Sequence, residues 1–249
     1  MEDNNQYSDY TVLSGEAGTR PLSKTFMANV FLWMFAALAT SSLFAFLFAN
    51  NATLLSLLIN PETGGMTMLG MITMFAPLGF VLLMSFGYNR LSAMAMMVIF
   101  LLYATVTGIS LSFILLVYTA SSVIGCFLSA AAMFGIMAVM GYTTNQDLTS
   151  FGRILRMGLI GIIIAMIINF FLGSSQLEYL ISIVGVAVFT GLTAYDVQKL
   201  KYIGMGIEQD GGVAAVDVKK MAIYGALTLY LDFINLFLFL LRLFGGRRD

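Results

Sequence analysis

Residues 91–146 read LSAMAMMVIFLLYATVTGISLSFILLVYTASSVIGCFLSAAAMFGIMAVMGYTTNQ, without one Asp, Glu, Lys or Arg. A helix that crosses a bilayer needs about 20 apolar residues. The stretch is too long for one crossing and long enough for two, with the polar YTASS at 118–122 as the turn between them. It is continuously apolar rather than alternating, which selects helices over barrel strands.

The same criterion applied outward from this stretch gives five further spans, at 25–50, 63–89, 157–177, 179–198 and 221–241. The expected fold is an all-α integral membrane protein, a bundle of seven transmembrane helices over residues 25–245. Residues 1–24 form a polar N-terminal arm. The first apolar run is too long for the core of a signal peptide and reads as a retained span. Composition agrees: 59% of residues are hydrophobic, only 10% are charged and mean hydropathy is +0.92. Soluble domains are nearer one quarter charged.

Arg20, Lys24, Arg90, Arg153, Arg156, Lys199, Lys201, Lys219 and Lys220 fall on one side of this arrangement. The loops of the other side, at 50–62, 117–122 and 172–178, carry no Lys or Arg. The positive-inside rule therefore puts the N-terminus in the cytoplasm. Arg242, Arg247 and Arg248 break the pattern. Either the rule is overruled there, or the last span re-enters and returns.

Several functions are disfavoured. There is no histidine, so the commonest metal ligand and the usual neutral-pH proton shuttle are missing. The single cysteine, Cys126, cannot form an internal disulfide and reads as a small hydrophobe. No cofactor is expected, no basic patch suits nucleic acid, and none of GxSxG, HExxH, CxxC or a P-loop occurs. An enzyme is not expected. Gly125, Ser129, Gly158, Gly161 and Gly185 are the small residues where helices should approach closely. Asn169 is expected to bond between helices. Residues 203–220 read as a solvated linker rather than a calcium loop, and Asn51-Ala52-Thr53 as a sequon without meaning in a bacterium.

Among the carboxylates, only Asp196 in TGLTAYDVQKL and Asp232 in LTLYLDFINLFLFLLRLFG lie inside apolar runs. A charge at the bilayer centre costs roughly 3 kcal/mol even on insertion scales, so such residues face a bundle interior or a wet cavity. Asp232 lies near mid-bilayer; Asp196 is three residues before Lys199. They can meet if the sixth span continues through KYIGM at 201–205. Two carboxylates in contact there should share a proton and titrate as one coupled pair, a pH sensor without histidine. Deprotonated, the pair would be held by a cation such as Arg90, or would bind calcium weakly and transiently. Two carboxylates fall well short of the 6–8 oxygens of a tight calcium site.

The segments FTGLTAYDVQKL (189–200), LTLYLDFINLFLFLLRLFG (227–245) and TGISLSFIL (107–115) resemble the Bax inhibitor-1 (transmembrane Bax inhibitor motif) family, including its bacterial YccA-like branch. The resemblance covers residues 20–245 and implies a bundle with the last helix central, acting as a pH-sensitive calcium leak of the bacterial cytoplasmic (inner) membrane. It puts the di-aspartyl sensor on Asp196 and Asp232 and the latch arginine on Arg90. A latch released by acid, set against carboxylates that lose calcium on protonation, implies flux with an intermediate pH optimum. The expected partners are calcium and the lipid bilayer. An alternative function is regulation of a membrane-bound AAA protease or a stress response, with the N-terminal arm as the contact.

Overall fold

The computed structural model describes residues 22–210 and 215–248, apart from the side chains of residues 210 and 215. Eight helices follow in order, and no strand occurs among the described residues. They are α1 (Leu22–Asn50), α2 (Ala52–Ser56), α3 (Met68–Gly87), α4 (Ala93–Val117), α5 (Ala120–Thr143), α6 (Thr149–Leu172), α7 (Ser175–Asp210) and α8 (Ala215–Phe244). All but the short α2 are long and apolar enough to cross a membrane, as expected. The chain is a multi-pass membrane protein.

Local chemistry explains where the helices begin and end. Thr67, Ser92 and Thr119 are extended residues whose hydroxyls accept from the N–H groups of Gly70, Ala95 and Ser122, capping α3, α4 and α5. Asn51 caps α2 in the same way through Thr53 and Leu54. Gly173, at φ 62°, ends α6 in the left-handed conformation that suits glycine. Asn169 does not bond between helices: its Oδ1 accepts from Ser174 N at 3.1 Å, closing the end of its own helix.

Hydropathy placed some boundaries too far inside. Helix α1 already includes Leu22, Ser23 and Lys24, and the rest of the expected arm lies outside the described residues. Helix α6 begins at Thr149, so Arg153 and Arg156 are helical. Helix α7 runs on to Asp210 and α8 starts at Ala215, so most of the expected linker at 203–220 is helix. The cause is that Lys, Leu, Met, Glu and Gln are good helix formers, and a charge ends a hydrophobic run without ending a helix.

Helices α7 and α8 form the centre. Helix α8 packs on α1, α4, α5 and α7; α7 also meets α5, α6 and α1. The last helix is thus central, with α7 as its partner. Helix α3 rests chiefly on α4, and α6 on α7. Tyr230, Leu229, Leu236, Phe100 and Met34 are fully buried, while Phe75, Phe86, Phe170 and Phe171 stand exposed on the rim, where lipid replaces water as the solvent. Pro77 inside α3 has no N–H for the carbonyl of Thr73; Ser110 Oγ of α4 donates to that carbonyl instead, at 2.5 Å.

The close approaches are not all where small residues suggested. Gly125 and Gly161 have open space at their Cβ positions, and Ser129 is exposed. Gly158 and Gly185 do meet Val188 and Phe239. The tightest backbone meetings between two helices are elsewhere: Gly108 of α4 against Ser41 of α1, and Gly141 of α5 against Ala194 of α7.

The chain end decides between crossing and re-entry. Helix α8 is continuous, and the residues after it are tied to the α4–α5 turn. Thr119 N donates to Gly246 O at 3.0 Å, Arg248 N to Val117 O at 2.9 Å, and Gly246 N to Ser122 Oγ at 2.9 Å. The last span therefore crosses fully.

Candidate functional site

The continuation of α7 meets the condition for Asp196 and Asp232 to come together. Asp196 lies 14 residues before the end of α7 at Asp210, about 21 Å at the helical rise, so it is well inside the bundle rather than at its edge. Asp196 is half-buried and Asp232 is 4% exposed. Both line one half-open cavity of about 610 Å³, walled by α3, α4, α6, α7 and α8. The two carboxyl groups lie close enough to act on each other. No N–H or O–H donor among the described residues reaches Oδ2 of Asp232. Two carboxyl groups that meet can hydrogen-bond only by sharing a proton, with one of them protonated.

Arg90 does not join this pair. It is exposed in the turn after α3, absent from the cavity lining and from the charges acting on either carboxylate. The cations that line the cavity are Arg156 of α6 and Lys199 of α7, and both act on Asp196. Arg156 is held in place. Its Nη2 donates to Tyr195 Oη at 3.1 Å, its Nε to Gly152 O at 3.3 Å, and its guanidinium lies 5.2 Å from the centre of the Tyr195 ring. The Tyr195 ring packs directly on Gly152, where a Cβ would not fit. In the Tyr195-Asp196 dipeptide, one residue fixes the cation and the next faces the cavity.

Sequence reasoning had counted Arg156 only among the loop charges that set orientation. Its signal was present: Gly152 and Arg156 are four residues apart and so share one helix face. Nothing in the sequence pairs that face with Tyr195.

Gln198, two residues beyond Asp196 and 2% exposed, was also missed. Its Oε1 accepts from Leu148 N at 2.9 Å and its Nε2 donates to Gln146 O at 2.7 Å. Leu148 has no side-chain cap of its own, so α7 supplies the cap that α6 lacks. Asp147 beside it is held below the usual carboxylate range, chiefly by hydrogen bonds from Thr149.

Among the described residues no three His, Cys, Asp or Glu side chains gather in a metal-binding group. The cavity offers two carboxylates, with Thr228, Asn235, Tyr103 and Tyr224 as further oxygen donors in its wall. Such a set suits brief contact with a hard cation rather than storage.

The profile of a family described as "Inhibitor of apoptosis-promoting Bax1" matches residues 23–249. The inner membrane protein YbhL of Escherichia coli K12 is 45% identical, over 90% of this chain and 93% of its own. An uncharacterized protein of Rickettsia prowazekii is 46% identical over 72% of this chain and 74% of its own. One of Borreliella burgdorferi is 41% identical over 92% and 94%.

Proposed function

The chain belongs to the Bax inhibitor-1 family, and we propose that it is a pH-sensitive calcium leak of the bacterial inner membrane, gated by the Asp196–Asp232 pair. The observation that carries this reading is the closeness of two carboxyl groups beside one half-open cavity that the central helices α7 and α8 line together with α3, α4 and α6. With one proton shared, the pair presents a single negative charge to Arg156 and Lys199. When the proton leaves, two charges face those two cations, and a divalent ion entering the cavity finds a doubly charged partner. The counter-charge is assigned to Arg156 and Lys199 rather than to Arg90, because those two share the cavity with the aspartates. The name of the E. coli relative supports an inner-membrane location, and the distribution of basic residues supports a cytoplasmic N-terminus.

Calcium influx into proteoliposomes at pH 6, 7 and 8 tests the reading. Wild-type protein should leak in a pH-dependent way, and Asp232→Asn, which cannot share a proton in the same manner, should leak with a flattened pH response. Glu208→Gln, on the outlying end of α7, should behave as wild type. Flux equal to that of protein-free vesicles at every pH would overturn the reading, as would an equal flattening by Glu208→Gln.

A further inference from the structure

A second cavity lies apart from the aspartate pair, where α1, α4 and α8 begin. It is half-open, has a volume of about 560 Å³ and runs between these three helices, which pack on one another. All three start on the side that the basic residues assign to the cytoplasm. Each brings a polar residue to the mouth and an apolar one about a turn deeper. In α1 these are Asn29 and Trp33, and in α8 Lys219 and Ile223, each pair about 6 Å apart at the helical rise. In α4 the cap Ser92 comes before Met97. Ser92 Oγ accepts from Ala95 N at 3.1 Å and keeps its own proton to donate.

The charge at the mouth is positive. Lys219 is exposed, and no carboxylate stands among the described residues that line the cavity. The neighbouring charges of α8 look elsewhere: Asp217 acts on Tyr88, and Lys220 Nζ lies 4.8 Å from the centre of the same ring. Helical spacing explains the division. Val216, Lys219 and Ile223 share the face toward the cavity, while Asp217, Lys220 and Tyr224 share the face toward Tyr88.

Within one turn the wall thus grades from a cation, an amide and a hydroxyl to indole, thioether and aliphatic side chains. That is the polarity profile of a phospholipid from its headgroup to the start of its acyl chains, and tryptophan suits this level of a bilayer. A soluble anion would use the mouth and leave the deeper wall unused. We propose that the cavity holds an anionic phospholipid of the facing leaflet, its phosphate against Lys219 and its acyl chains against Trp33, Met97 and Ile223. Basic pockets between transmembrane helices on the cytoplasmic side bind headgroups in this way. The site is independent of the leak reading.

Trp33 is the one tryptophan of the chain, so its fluorescence reports on this cavity alone. Full-length protein is placed in phosphatidylcholine vesicles with a small fraction of phosphatidylglycerol, one lipid or the other carrying brominated acyl chains. Quenching should show phosphatidylglycerol enriched beside Trp33 about fivefold over its bulk fraction, the effect of one basic residue at a headgroup. Lys219→Gln should abolish the enrichment, while brominated phosphatidylcholine still quenches. Lys220→Gln, one residue on but facing Tyr88, should keep most of it. No enrichment in the wild type, or enrichment that survives Lys219→Gln, would overturn the proposal. Displacement by inorganic phosphate would overturn it in favour of a free anion. Insensitivity to both brominated lipids would overturn it too, giving the cavity to protein, either a second copy or another segment of this chain.

Discussion

Replacing Gly108 by alanine tests the packing that brings α1, α4 and α8 together. A Cβ built there meets Ser41 Cα at 2.8 Å and Ser41 C at 2.9 Å, with Ser41 O closer still. Ordinary contacts begin at 3.4 Å, so the two backbones must part by about 0.6 Å or more. No rotamer change relieves this, because the obstacle is main chain. Overpacking of this kind costs about 1–3 kcal/mol. Separation also stretches the Ser41 bonds to Ala104 O and Tyr230 Oη, each worth about 0.5–1.5 kcal/mol. Against this, alanine gains about 1 kcal/mol in helix propensity over glycine. The net expectation is a loss of about 3 kcal/mol, more than a hundredfold in the folding equilibrium. Gly125→Ala is the matched control: it has open space at its Cβ, so only the propensity gain of about 0.5–1 kcal/mol remains. Reversible unfolding in mixed micelles, titrated with a denaturing detergent, measures both. The two substitutions should move the midpoint in opposite directions. Gly108→Ala unfolding at or above the wild-type midpoint would refute the close approach of α1 and α4.

Gln198→Met keeps the volume and removes both bonds to the α5–α6 loop, leaving Leu148 N half-buried without an acceptor. The same titration should show a loss of about 2 kcal/mol, and faster amide exchange at residues 148–151; unchanged exchange would remove Gln198 as the cap. Orientation is read by thiol labelling of a Cys126→Ala protein carrying single cysteines. A cysteine at Gln209 should label from the cytoplasm, and cysteines at Thr63 and Arg247 from outside; labelling of Gln209 and Arg247 from the same side would contradict the full crossing of α8.

Span count was legible because the bilayer imposes a cost residue by residue, and the same cost singles out Asp196 and Asp232 among the carboxylates. About 20 apolar positions per crossing, and a penalty for each charge among them, need no knowledge of neighbours. Residues 91–146 therefore read correctly as two helices, α4 and α5, with their turn at 118–119. Boundaries in the charged margins were less legible. Hydropathy stops at Lys199, whereas hydrogen bonding carries α7 on to Asp210, and that extra length puts Asp196 inside the bundle.

What only the tertiary structure decided is which face of each helix looks inward. Spans such as α1 and α4 are apolar on all sides, because lipid and bundle interior favour the same residues, and so no amphipathic stripe marks the packed face. This is why Gly125 and Gly161 could not be told from Gly108 and Gly141 along the sequence. It is also why the cavity's cations proved to be Arg156 and Lys199 rather than Arg90. The closeness of Asp196 to Asp232 and the tie of Gly246 to Thr119 join residues 36 and 127 positions apart. The sequence by itself determined seven membrane spans and two costly carboxylates within them. Rotation and depth of the helices, set by side-chain and backbone fit between spans, determined what those carboxylates face.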